Sequence, residues 1–536
     1  MSDLLIRGGW IVDGSGAPGF QGDVVIAEGR IEAVYREGQA SVATGGKSLD
    51  AGGLTVAPGF IDVHTHSELA LVADPTSPFK IAQGVTTEIL GNCGFSAAPL
   101  RPTTAALQQE VSAGVFGHAG LDWNWETLTG YFGRLEADGT AVNTATLVGH
   151  GALRNAVMGF EARDPTPEEM EAMRLLLAEC MEAGALGLST GLVYPPGCYA
   201  QTPELKELAK VVGRYGGIYA THLRNQSAGL LDAVAEALEI GDAGNIPVQI
   251  SHHKCSGAAN RGLVRESLAL LDGARSGGVR PGSDMYPYLA GSSTLVSLFP
   301  PWSLEGGVRT LLARLRDDAQ RTRIEKEFSV GVAGWENRIG VVGWENIFVS
   351  SVSRPENGGW IGRNLQDIAA SRGQPPQSTI CHVVLAEEGR VGYIGYNSSE
   401  EDLEIMMHHP RTSFGSDGLD VGERPHPRLY GTFPRVLGEY VRRRGVLTLE
   451  EAVHKMTALP ASQTRLEGVG RIKPGYRADL VLFDAEHVDE RSTFEDPRRY
   501  PEGLPHVFVG GTAVVKDGHI TGALPGKVLR RGRSTA

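Results

Sequence analysis

The sequence predicts an α/β protein, a TIM-type (β/α)8 barrel beside a small β-sandwich built from both ends of the chain. Three observations carry this expectation. Apolar runs alternate with helical stretches through the middle of the chain, both ends consist of short β-branched runs divided by glycines, and histidine, cysteine or aspartate recurs where the middle runs end. Strands alternating with helices indicate parallel strands joined by crossover helices.

At the start of the chain, "DLLIRGGWIVDGSG", "GDVVIAEGRIEAV" and "KSLDAGGLTVAPGF" read as short strands with glycine turns, and "GRIKPGYRADLVLFD" and "HVFVGGTAVVKDGHITG" repeat that texture near the end. Neither group alone has enough strands for a stable sheet. Residues 1–57 and 467–536 are therefore expected to share one β domain. Between them, "VNTATLVGH", "ALGLSTGLVY", "GIYATHLRN" and "IPVQISHHK" read as strands, separated by helices near "PTPEEMEAMRLLLAECMEAG", "TPELKELAKVVGRYG" and "SAGLLDAVAEALEIGDAG". The barrel is placed at 58–466, a length that suits a barrel of roughly 200 to over 400 residues with insertions. The stretch 302–372 breaks the rhythm, is rich in Arg, Gly and Trp, and reads as an insertion or a lengthened barrel loop.

Composition narrows the function classes. With 41% hydrophobic and 21% charged residues in 536, the chain can bury a large core. Its start matches neither a signal peptide's apolar segment nor a membrane span, so a cytoplasmic location and no membrane partner are expected. A net charge of −13, with only "RRR" at 442–444 and a basic tail ending "LRRGRSTA", argues against nucleic acid as a partner. Five cysteines are few and odd in number, so a disulfide framework is not expected.

The chemistry starts at "GFIDVHTHSEL". Residues two apart on a strand point to the same side, so His64 and His66 can present two imidazoles to one ion. Spacing alone leaves a structural or solvent-facing reading open. Further ligand-type residues end other apolar runs: Cys93 in "TTEILGNCGFS", His222 in "GIYATHLRN", His252 and His253 in "VQISHHK", and Asp417 in "TSFGSDG". Parallel barrels gather their strand C-terminal ends on one face, where active sites sit. Imidazole and thiolate suit zinc, and a carboxylate completes a hydrolytic site. His150, His382, His408 and His409 read as packing or loop residues, Cys180 as a buried helix residue. For Cys198, Cys255 and Cys381 a structural reading is favoured.

Together with "THLRNQ", "FGSDGL" and "HPRLYGTFPRVLGEYV", these segments resemble the D-aminoacylase (N-acyl-D-amino acid deacylase) group of the amidohydrolase superfamily, over about residues 3–518. The resemblance implies a barrel with a β-sandwich from both termini. By motif it places His64 and His66 at one metal position and His222, Cys93 and one histidine of "SHHK", taken as His252, at the other. It implies Asp417 as the catalytic acid/base and Cys93 as ligand where many relatives use a carboxylated lysine. One tightly held zinc (Zn2+) is expected, with any second metal weaker. Lys254, Tyr286 and Arg428 are the candidates for the substrate's α-carboxylate.

The implied reaction is zinc-dependent hydrolysis of the amide of an N-acyl-D-amino acid, with zinc acidifying water and polarising the carbonyl. Competing readings are a dipeptidase acting before a D-residue, a cyclic amidohydrolase of hydantoinase or dihydroorotase type, and a non-catalytic metal-binding homologue. Oligomeric state is left open. The segment "PYLAGSSTLVSLFPPW" contains no Lys or Arg, so Leu295, Val296, Leu298 and Phe299 are expected to line an apolar side-chain pocket.

Overall fold

The computed structural model describes residues 3–37, 46–118, 120–276 and 279–532. Eight parallel strands close into the barrel: Phe60–Asp62, Val85–Leu90, Asn143–Thr146 continued by Val148–Gly149, Gly187–Gly191, Ile218–His222, Val248–Ile250, Pro281–Met285 and Thr412–Phe414. A parallel bridge between Thr65 and Gly418 joins the last strand to the first. The strands are buried along their whole length, which is why they read as continuous apolar runs rather than alternating ones.

Crossover helices carry their own start and stop signals. Pro167–Ala183 begins with a capping box between Thr166 and Glu169 and stops at Gly184 in the left-handed region. It buries Met173, Leu177 and Cys180, whose i, i+4 and i+7 spacing forms one stripe.

Both ends of the chain enter one nine-stranded sheet. Strand Thr55–Pro58 pairs with Leu480–Phe483 from the far end, Val56 lying opposite Leu482. Leu4–Ile11 divides its pairing between Lys47–Asp50 and Thr55–Pro58 across a register shift between Ile6 and Gly9, so the sheet bends there. Segment 38–45 of the N-terminal part and the last residues of the basic tail, 533–536, lie outside the described residues.

The aperiodic stretch is wider than its sequence suggested. Between Pro281–Met285 and Thr412–Phe414 the chain forms a three-stranded antiparallel sheet of Ala290–Thr294, Gly392–Tyr396 and Ile347–Ser351. Helices Val308–Arg316, Asp318–Val330, Leu365–Arg372 and Pro376–Ala386 pack on it around a separate apolar core. Ala290–Thr294 and the central strand Gly392–Tyr396 lie outside 302–372, and their sequences, "AGSST" and "GYIGY", offer little apolar alternation to mark them.

Candidate metal centre and active site

Every candidate ligand emerges at the C-terminal end of a barrel strand. Reaching that face strains the backbone: Cys93, His252 and Asp417 have φ of 55°, 35° and 48°, a region that residues with a Cβ seldom occupy and that clusters at functional sites. Gly91, at φ 78°, turns the second strand toward Cys93, and a Cβ there would lie 2.0 Å from the Leu147 carbonyl oxygen. Only glycine fits this approach.

Two overlapping donor sets result. His64, His66, Cys93 and Asp417 form one, and Cys93, His222 and His252 the other, with donor atoms in each set within 4.8 Å of one another. Cys93 Sγ lies 3.2 Å from His64 Nε2, 3.4 Å from His252 Nε2 and 3.8 Å from His222 Nδ1. Tetrahedral Zn–S and Zn–N bonds place such donors about 3.6 Å apart. Asp417 Oδ1 lies 3.5 Å from His64 Nε2 and 3.4 Å from His66 Nε2. The donor set fits a metal ion, with the shared Cys93 between its two halves.

The electrostatics of Cys93 and His222 agree with that fit, whereas, against burial, the facing Cys93 and carboxylates raise His64 and, to about 9, His66. Burial opposes a Cys93 thiolate, yet the facing His64 and hydrogen bonds from His222, His64 and His66 hold its pKa well below the ordinary thiol value. Burial pushes the thiols of Cys180, Cys198 and Cys255 up to about 12 and raises that of Cys381 too, so these behave as inert core groups. Burial, with the neighbouring His252, lowers His222 to about 3 and keeps it in the neutral form a ligand needs.

A second layer orients these groups. The Asp284 carboxylate lies 3.1 Å from His64 Nδ1, and the same oxygen accepts the His252 backbone N–H at 2.7 Å. A carboxylate behind a histidine fixes its tautomer and ring orientation. Gln226 approaches His252 Nδ1 at 3.2 Å. His253 turns away and meets Ser267 Oγ at 2.9 Å. His150 pairs with Glu204 at 2.7 Å, outside the cluster.

The donors open into a cavity whose lining includes Lys254, Tyr286 and Arg428. The Arg428 guanidinium stands 4.6 Å from the Tyr286 ring centre and Lys254 Nζ 5.3 Å from it. Arg428 Nη1 pairs with Asp417 Oδ2 at 2.9 Å, while its buried Nε has no hydrogen-bond partner. Burial opposes ionisation of Asp417, but Arg428 and His64 hold its carboxyl well below the usual range.

Several groups escaped the sequence reading. Asp284 stands in plain view at the end of a barrel strand, whereas Tyr194, Gln226 and Arg338 sit on connections with no periodic or spacing signal. The apolar-pocket expectation is corrected. Leu295, Leu298 and Phe299 are buried in the insertion's own core, because Leu295–Leu298 coils into a 3₁₀ turn that carries them away from the cavity. Val296 lines an adjacent apolar recess with Phe95, Val115 and Leu304.

Parallel barrel, strand-end histidines, shared cysteine and facing aspartate define a metal-binding hydrolase. The amidohydrolase family model matches residues 47–515, and the chain belongs to that family. It is 38% identical to the D-aminoacylase of Alcaligenes xylosoxydans xylosoxydans over 99% of this chain and 98% of the relative. It is 39% identical to that organism's N-acyl-D-glutamate deacylase, over 100% and 98%. The crystal structure of N-acyl-D-glutamate deacylase from Bordetella bronchiseptica holds zinc and a phosphonate mimic of the tetrahedral intermediate. It superposes with a TM-score of 0.81 at 35% identity, over 99% of each chain. Among the described residues, no helix is long and apolar enough to cross a membrane.

Cys93→Ala should lose tightly held metal, because this thiolate belongs to both donor sets. The check is metal content after gel filtration. Unchanged stoichiometry together with an unchanged rate would remove Cys93 from the centre.

Proposed function

We propose that the protein is a zinc-dependent hydrolase that cleaves the amide of N-acyl-D-amino acids to a carboxylate and a free D-amino acid. The observation that carries this is Asp417, poised between the donor cluster and Arg428 at the floor of a cavity with Lys254 and Tyr286 on its wall. His64, His66, Cys93, His222 and His252 would hold one zinc tightly, with a second metal held more weakly. Zinc at this centre supplies Lewis acidity and lowers the pKa of water. Asp417 takes a proton from the attacking water and delivers it to the amine nitrogen as the C–N bond breaks. Lys254, Tyr286 and Arg428 grip the α-carboxylate through charge-assisted contacts, orienting the amide over the donors.

The cavity disfavours the dipeptidase reading. Asp417 is the one carboxylate among its lining residues, against Lys254, Arg338 and Arg428, so a dipeptide's free ammonium group would face cations. The test is a hydrolysis screen of N-acetyl-D- and N-acetyl-L-amino acids and D-terminal dipeptides. Turnover of the D-acyl series, abolished by chelation and restored by zinc, is expected. Turnover confined to L-compounds or dipeptides would overturn the proposal.

A further inference from the structure

The insertion between the last two barrel strands delivers into the cavity a cation that the deacylase reading does not use. Arg338 opens the short helix Arg338–Val342, capped by the Asn337 side chain on Gly340 N–H. Asn337 is itself anchored through Nδ2 to the Phe328 carbonyl at 2.7 Å. Glu336, buried, accepts the Gln226 backbone N–H at 2.7 Å and so straps this segment to the barrel loop that follows His222. The helix start is thus held from both sides, and the guanidinium is aimed rather than free.

Its hydrogen-bond partners are all neutral. Arg338 Nη2 donates to the Ser297 carbonyl at 2.5 Å and to its Oγ at 3.3 Å, and Nη1 to the Tyr393 hydroxyl at 3.4 Å. The group lies 5.8 Å from the Tyr194 ring centre. None of the ion pairs among the described residues includes Arg338. The carboxylate of Glu336, two residues away, favours the guanidinium through space but accepts from the Gln226 backbone and forms no ion pair with Arg338. Arg338 is half-buried, and withdrawing part of a guanidinium from water without a paired anion carries a cost that a ligand's negative charge would offset. Arg428, by contrast, already has Asp417 at 2.9 Å.

The surroundings suit a carboxylate. Ser293 and Tyr393 face each other across paired strands and line the same cavity as Arg338. They offer two hydroxyls beside the planar fork of an arginine, the geometry that receives a carboxylate well. Resting on the deacylase reading above, we infer that Arg338 makes this a site for doubly charged substrates, in which a second carboxylate, besides the α-carboxylate, is received by Arg338 with Tyr393 and Ser293. That carboxylate belongs either to the side chain of the D-residue or to a dicarboxylic acyl group. The insertion is then the element that selects the substrate, while the barrel carries out the hydrolysis.

The test uses the zinc-loaded full chain. kcat/KM is measured for N-acetyl-D-glutamate against its neutral isostere N-acetyl-D-glutamine, and for N-succinyl-D-leucine against N-acetyl-D-leucine. The first pair puts the second carboxylate on the amino acid, the second pair on the acyl group. In one pair the acidic member should lead by roughly 10- to 100-fold, the scale of a hydrogen bond to a charged group. Arg338→Met should reduce that lead at least tenfold, mainly through KM, and Arg338→Lys should retain part of it. Ratios near one in both pairs, or a lead that survives Arg338→Met, would overturn the inference. Calorimetric titration of the same four compounds separates the two readings. Preferential binding of an acidic member without turnover of any compound would sink the deacylase reading and keep the second anion site. Turnover with equal affinities within each pair would sink the anion site alone.

Discussion

Asp417→Asn should lower turnover by roughly 10²–10⁴-fold, the range of general acid-base contributions, while metal content stays near that of the parent protein. The substitution keeps the side chain's shape and one oxygen donor but cannot accept and return a proton. Asp417 Oδ1 lies 3.5 Å and 3.4 Å from the nearest nitrogens of His64 and His66, so it touches the donor cluster from one side only. The remaining donors are on other strands. His64 is held by Asp284, and Cys93 meets three histidines without help from Asp417. Metal analysis and kcat on one preparation separate this result from that expected of Cys93→Ala, where metal and rate fall together. Near-parent turnover in Asp417→Asn would remove the residue from the chemistry.

How much of this was readable from residues alone follows a physical divide. The barrel strands were visible because parallel strands buried on both faces must be continuously apolar, and "GIYATHLRN" and "IPVQISHHK" end on polar residues that nothing in a core would favour. The choice between His252 and His253 lay beyond spacing, since neighbours on a strand point to opposite sides and either could face inward. The backbone settles the geometry: at φ 35°, His252 turns to Cys93 while His253 packs on Ser267. Arg338 was invisible for a different reason. It lies far in sequence from every residue it faces in the cavity, on a segment whose apolar residues serve a separate core, and no local pattern marks a side chain whose role depends on a distant contact. The apolar-pocket expectation failed for a related reason: the first part of that segment, through Ser293, does line the cavity, but Leu295–Leu298 then coils into the insertion's own core.

Lys80→Met should destabilise the fold by about 3–5 kcal/mol, the cost of breaking a buried ion pair from one side. In "SPFKIAQG" this lysine looks like an exposed helix residue, yet its side chain is 0% exposed, a state lysine almost never adopts unless paired. Its Nζ donates to Asp62 Oδ2 at 2.5 Å and to the hydroxyls of Thr65 and Ser416 at 2.8 Å each, with Glu88 at 3.8 Å. Asp62 also accepts the Ser416 backbone N–H at 2.8 Å and its hydroxyl at 2.6 Å. Lys80 therefore ties the first barrel strand to the last, at the seam where Thr65 and Gly418 bridge and immediately behind His64, His66 and Asp417. Removing the ammonium leaves the buried Asp62 carboxyl without its cation in a place water does not reach, whereas Met fills a similar volume, so the loss reads charge rather than a cavity. Urea midpoints for the parent, Lys80→Met, Asp62→Asn and the double variant form the cycle that isolates the pair. The double variant should lose less than the sum of the single losses, because Asn no longer demands a cation. Additive losses, or a Lys80→Met cost within the roughly ±0.5 kcal/mol typical of surface substitutions, would show that the seam is held by its backbone pairing alone.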